Sequence, residues 1–305
     1  MVPTATGNPF AYTKGPRLQA GRDARDVVVG DFDGDGRNDV AATDFASGAA
    51  SVFLATAGGS FVRLVPDPAA GPAPVARAPG DFDGDGASDL AVANEGGRFV
   101  SVLLGRPAPA GRCDPGFAAA TFVATGDDPI AVATGDFNAD GKPDAITAND
   151  FAYTVSVLLG RGNGEFVRAD IPLDAEPSAV AVGNLNNDEF ADAAVALGGS
   201  DDVLVFLGTP DRTLQPGSGA LRTASGQASI AIGDFNGDGI PDMAVACADA
   251  AKVSVFFGDR IDPPAFGLQV PVPHYGLPRS DFATGATPTS VVAADLDGDG
   301  DLDLA

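Results

Sequence analysis

One phrase recurs six times along this chain, and its period limits what the chain can fold into. It reads DFDGDGRND at 31–39, DFDGDGASD at 81–89, DFNADGKPD at 136–144, NLNNDEFAD at 184–192, DFNGDGIPD at 234–242 and DLDGDGDLD at 295–303. Consecutive copies start 48 to 61 residues apart. That is long enough for four short strands and too long for a helical pair or one rung of a β-helix. Apolar or alternating runs flank the copies: VVVG, IAVATG, AVAVG, IAIG and VVAA before, DVAAT, DLAVAN, DAITAN, DAAVAL and DMAVAC after. A third run follows each pair (ASVFLA, VSVLLG twice, VLVFLG, VSVFFG), rich in β-branched and aromatic residues with Gly at or near its end. A weaker fourth run follows a Phe or Leu at 61, 117, 166, 214 and 266.

Four antiparallel strands per period make the blade of a β-propeller, in which radial stacking buries both faces of each sheet. The expected fold is therefore all-β, a single propeller domain over residues 1–305. Residues 7–21 resemble the fourth-strand region at 162–176, and Ala305 falls where a second strand begins. A sixth blade would then combine two C-terminal strands with one N-terminal strand, in a C-terminally truncated ring of six or seven blades.

Numbering each loop 1 to 9, side-chain oxygens fall at 1, 3, 5 and 9, with Gly usually at 6. Alternate side chains converge, the carbonyl at 7 is free to join them, and Gly permits the sharp turn, which is the oxygen cage of a hard cation. The expected ligands are Asp31, Asp33, Asp35, Arg37 (carbonyl) and Asp39; Asp81, Asp83, Asp85, Ala87 (carbonyl) and Asp89; and Asp136, Asn138, Asp140, Lys142 (carbonyl) and Asp144. They continue with Asp234, Asn236, Asp238, Ile240 (carbonyl) and Asp242, and with Asp295, Asp297, Asp299, Asp301 (carbonyl) and Asp303. Seven-fold, carboxylate-rich coordination suits Ca²⁺ better than Mg²⁺, at about five sites. The loop 184–192 has Asn184 and Asn186 at positions 1 and 3 and Glu189 in place of Gly, so it is expected to be weak or empty. An EF-hand would close with Glu at position 12 before a helix, whereas here a strand follows position 9.

The chain carries 42 acidic against 18 basic residues, a formal charge of −24, so a nucleic-acid backbone or anionic membrane would be repelled. Close to half of those acids sit in the six loops, where without metal they repel one another. Ordinary Asp-Gly hairpin turns do not need further acids at fixed offsets. No run is long enough to span a membrane, and the N-terminus MVPTATGNPF shows no signal-peptide pattern. Cys113 and Cys247, the only cysteines, make no disulfide framework, and Cys247 in an apolar strand reads as an inert buried thiol.

The six DxDxDGxxD-like loops and the VSVLLG strands resemble the FG-GAP or VCBS repeat, the calcium-binding blade of the integrin α-subunit propeller and of many bacterial secreted and surface proteins. The resemblance implies a seven-bladed propeller, structural calcium, an extracellular or cell-surface location, and a role in adhesion or ligand binding. The fourth loop and the incomplete blade count depart from it.

In a four-stranded meander the metal loops and the third-to-fourth connections share one end. The other end would carry the second-to-third loops, with Phe45, Arg98, Phe151 and Tyr153, and the longest insertion, around His274 and Tyr275. This end is the expected ligand surface, for an unidentified protein or glycan. No GxSxG, HExxH, P-loop or dinucleotide fingerprint is present, and the expectation is a chain that is not an enzyme. A carbohydrate-binding or polysaccharide-degrading propeller is one alternative, weakened by the absence of Trp. A structural spacer of a larger surface protein is another.

Overall fold

The computed structural model describes residues 15–107, 116–210, 214–259, 274–275 and 279–305. Every regular element among them is a β-strand. Five four-stranded antiparallel sheets follow in chain order. The first blade is Ala24–Gly30, Asp39–Asp44, Ala49–Ala55 and Phe61–Arg63, and the second is Pro74–Gly80, Asp89–Asn94, Phe99–Leu103 and Thr121–Ala124. The third is Pro129–Gly135, Asp144–Asn149, Thr154–Gly160 and Phe166–Pro172, and the fourth is Pro177–Gly183, Asp192–Leu197, Asp202–Leu207 and Gln215–Arg222. The fifth is Gln227–Gly233, Asp242–Cys247, Lys252–Phe256 and Ser280–Ala283. The first strands of successive blades contact one another, so they form the inner edge of the propeller.

The blade count corrects the expectation of six or seven. The sixth copy of the loop joins only a two-stranded hairpin, Ala293–Ala294 with Asp303–Leu304, and residues 15–21 form no strand. Residues 7–14 of the expected N-terminal strand lie outside the described residues. Phe117 does not open the outer strand of the second blade. It belongs to a small ribbon, Gly105–Arg106 with Gly116–Phe117, ahead of that strand. Phe266 lies outside the described residues, and the fifth outer strand pairs later, with Val255 opposite Ser280.

Each inner hydrophobic cluster draws on two consecutive blades, because alternate residues of a strand face opposite neighbours. In the second blade Leu90 and Val92 pack with Ala41, Val52 and Leu54 of the first. Ala91 and Ala93 pack with Val132, Ala145 and Leu158 of the third. Second strands are thus buried on both faces, which is why DLAVAN or DAAVAL reads as continuously apolar. The loop's second residue plugs the same seams: Phe32, Phe82, Phe137 and Leu185 are each almost wholly buried.

The ninth loop residue holds this arrangement. Asp39, Asp89, Asp144, Asp192 and Asp242 are fully buried. One oxygen of each accepts the backbone N–H of the second loop residue, as Phe82 to Asp89 at 2.6 Å and Leu185 to Asp192 at 2.7 Å. The other accepts an N–H where the third strand ends, as Gly105 to Asp89 at 2.6 Å and Gly208 to Asp192 at 2.9 Å. A second brace ties third to fourth strands. Ser156 donates to Asp170 at 2.8 Å, which also pairs with Arg168, and Ser254 donates to Asp281, which pairs with Arg279.

The fourth loop separates the structural role of the ninth residue from any role in metal binding, because its positions 1 and 3 are amides. Asp192→Ala leaves the N–H groups of Leu185 and Gly208 without acceptors in a buried seam, a loss of roughly 2–4 kcal/mol. Urea unfolding in excess EGTA is expected to show a lowered midpoint; an unchanged midpoint would remove the structural role.

Candidate metal centres and ligand surface

Each loop is pre-shaped by its own side chains. The first Asp caps the turn: Asp31 accepts from the N–H of Asp35 at 2.9 Å and of Gly36 at 2.7 Å, and Asp81, Asp136, Asp234 and Asp295 do the same. The fifth residue accepts from the seventh N–H, as Asp85 from Ala87 and Asp238 from Ile240. Two positions take left-handed backbone, the fourth as well as the sixth: Gly34 and Gly36, Gly84 and Gly86, Ala139 and Gly141. In the loop 184–192 only Asn187 does so. A residue with a Cβ resists that conformation, and Glu189 stands where the others have Gly.

Three loops gather carboxylates close enough to share one ion: Asp31, Asp33 and Asp39; Asp81, Asp83 and Asp85; Asp295, Asp297 and Asp299. These are hard oxygen donors of the kind Ca²⁺ takes. Asp35 is drawn aside in the first loop by an ion pair with Arg37, and Lys142 pairs with Asp140 at 3.6 Å in the third. In the third and fifth loops Asn138 and Asn236 replace a carboxylate. Asn138 leaves its side-chain oxygen buried and unbonded, an acceptor suited to a cation.

Burial opposes ionisation at several loop carboxyls, although at Asp234 it is outweighed by backbone N–H groups that lower the carboxyl. Burial pushes Asp89 up to about 7 and Asp144 up to about 6, against the backbone N–H groups that favour the anion. Asp33 and Asp83 are raised by burial first and by neighbouring aspartates next. A divalent ion would reverse this balance by stabilising every carboxylate at once.

The expected ligand surface is less coherent. Phe45 lies under the Arg25 guanidinium, 4.5 Å from its carbon to the ring centroid. Arg98 pairs with Asp127 at 2.5 Å, the Tyr153 hydroxyl donates to Glu176 at 2.7 Å, and Phe151 is 73% exposed. They occupy second-to-third loops of three blades, and none lines the cavities described here. The placing of His274 and Tyr275 is corrected. Their backbones pair with Gly258–Asp259 before the outer strand, and Gly258 N–H donates to Asp242 at 2.8 Å. These two residues therefore sit at the metal-loop end; their side chains, like Cys113 and residues 260–273, lie outside the described residues. Sequence reading missed a cavity of about 580 Å³ at the outer seam of the first and second blades, lined by Asp67, Arg106, Phe117 and Phe122 among others.

The chain matches the FG-GAP-like repeat over residues 31–92, 81–147, 136–195 and 185–245. Comparison with curated proteins finds no match. Among solved structures it is similar to a putative 6-phosphogluconolactonase from Bacteroides fragilis (17% identity, TM-score 0.58, covering 88% of this chain and 70% of that one). It is similar also to the periplasmic gluconolactonase of Pseudomonas aeruginosa (20% identity, TM-score 0.58, 89% and 70%). A third is an Agrocybe aegerita lectin that recognises non-reducing terminal N-acetylglucosamine (17% identity, TM-score 0.54, 92% and 74%). At these identities the likeness is one of fold. It nevertheless corrects the expectation that the chain is not an enzyme: two of the three are described as gluconolactonases, so the fold serves enzymes and does not set this chain apart from them.

Protons and metal compete for the same oxygens. At pH 5 Asp89 and Asp144 hold protons that an ion must displace, and by pH 8 they do not. The rise in melting temperature caused by calcium is therefore expected to grow between pH 5 and pH 8, read by thermal scans with calcium or EGTA at each pH. An equal rise at both pH values would mean that these carboxyls do not ligate.

Proposed function

Because the chain belongs to the FG-GAP-like repeat family, we propose that it is a calcium-binding propeller acting outside the cell or at its surface, a rigid scaffold whose loops bind a protein or glycan ligand. The gathering of three carboxylates at hairpin tips in three of the repeats carries this reading. So large a local negative charge is costly without a cation, and oxygen cages of this kind suit the higher calcium concentrations met by extracellular modules. In this reading calcium holds the first two strands of a blade to the end of the third, since the ninth residue bonds to both regions. Among the described residues no helix is long and apolar enough to cross a membrane.

A carbohydrate ligand is the second reading. It is favoured by the likeness to a glycan-binding lectin and by the outer-seam cavity, where Phe117 and Phe122 offer apolar faces beside Arg106 and Asp67. Aromatic faces with flanking polar groups are what a sugar ring uses.

Calorimetric titration of the purified chain is expected to show calcium uptake at about five sites. EGTA should lower the melting temperature, since an ion at a hundredfold its dissociation constant adds about 2.7 kcal/mol per site. Absence of uptake would remove the calcium reading. A glycan array showing selective binding lost in Phe122→Ala would support the sugar reading, and a blank array with calcium-loaded protein would count against it.

A further inference from the structure

Arg77 breaks the repeat at a position the fold buries. Four residues before each loop the other copies place Val27, Val132, Val180, Ile230 and Val291, β-branched residues suited to an inner strand. Arg77 is only 5% exposed, and among the described residues none of Nε, Nη1 and Nη2 has a hydrogen-bond partner. Its cross-strand partner is Val92, which packs toward the first blade, so Arg77 faces that seam.

Two further polar atoms are stranded at the same seam. Thr43, on the contacting strand of the first blade, stands where the other complete blades have alanine (Ala93, Ala148, Ala196, Ala246), and its hydroxyl is buried and unbonded. Asn94 uses its amide nitrogen on Val92 O and Ser101 Oγ, leaving Oδ1 unbonded. In the third blade the equivalent Asn149 Oδ1 accepts from Thr147 at 2.9 Å. Gly71 closes over the spot: a Cβ there would lie 2.6 Å from Asn94 Oδ1.

The nearest described carboxylate does not neutralise the guanidinium. Asp26 is spent on backbone, accepting from Val27 N–H at 2.8 Å and from the N–H of Arg77 itself at 3.1 Å. Burial lowers the guanidinium to about 10, with Asp26 partly offsetting it, so it remains cationic at neutral pH. A buried charge without a partner is strongly unfavourable, and water supplies no countercharge.

We propose that the seam between the first and second blades holds a small inorganic monoanion of halide size, bound by the Arg77 guanidinium with the Thr43 hydroxyl as a further donor. Because the site is built from both blades, the anion locks one to the other, and it does so despite the chain's overall negative charge because the guanidinium is local and desolvated.

Two measurements on the whole calcium-loaded chain test this. Exchange of methanesulfonate for chloride at constant ionic strength is expected to raise the melting temperature of the wild type by several degrees. Arg77→Val, which restores the residue of the third and fourth blades, should abolish that dependence while melting no lower than the wild type in methanesulfonate. Parallel chloride dependence in both proteins, or none in the wild type, overturns the proposal. Crystals grown in bromide give an independent reading that needs no variant. An anomalous peak within hydrogen-bond distance of Arg77 supports the site, whereas Arg77 bonded to water, Asp26 or Asn94 with no peak overturns it.

Discussion

A buried carboxylate with backbone N–H groups on both oxygens is the interaction on which each blade depends. It pins the hairpin tip that opens the second strand to the point where the third strand ends, and so fixes three strands with one side chain. The same bond orients the loop's second residue, whose ring or isobutyl group fills the seam to the neighbour. Phe82, for example, is held by Asp89 and packs edge-on to Phe166 of the third blade at 5.3 Å. One acidic residue per repeat thereby links strand pairing within a blade to packing between blades.

That bond divides the loop motif into two functions a sequence pattern merges. Positions 1, 3 and 5 gather oxygens an ion would take, while position 9 serves the fold through its two backbone bonds, with or without an ion beside it. The loop 184–192 has weakened the first set, with amides at positions 1 and 3 and only Asp188 as an acid, and kept the second: Asp192 is as buried as its counterparts and accepts three backbone N–H groups. Position 1 has a double character. It caps the turn through backbone N–H groups even without an ion, and Asn184 can still perform that task by accepting from Asp188.

Much of this was legible in the sequence because hairpin loops and buried strands are local features. The six loops, the flanking strands and the third runs all lie where the periodicity puts them. What escaped depends on longer range. The outer strands of the second and fifth blades come after ribbons, so Phe117 belongs to a ribbon and not to the strand itself, and His274 and Tyr275 pair at the end opposite to the one expected. The orphaned polar atoms of Thr43, Arg77 and Asn94 become visible only when two blades are stacked, although the sequence does hold Arg77 as the one cation in a column of branched apolar residues. Enzymatic capacity was judged from motifs, and a fold shared with lactonases is not bound to them.

The seams, more than the blades, set what each residue experiences. Val132 in the third blade is 7% exposed, whereas its equivalent Val27 in the first is 65% exposed, though both sit in the same register four residues before a loop. The strand is the same; the neighbour differs. Stability in such an array is a sum of nearest-neighbour interfaces, so a change confined to one seam is felt there first. The seam that carries a buried cation is then the place where solution conditions can alter one interface and leave the rest as they were.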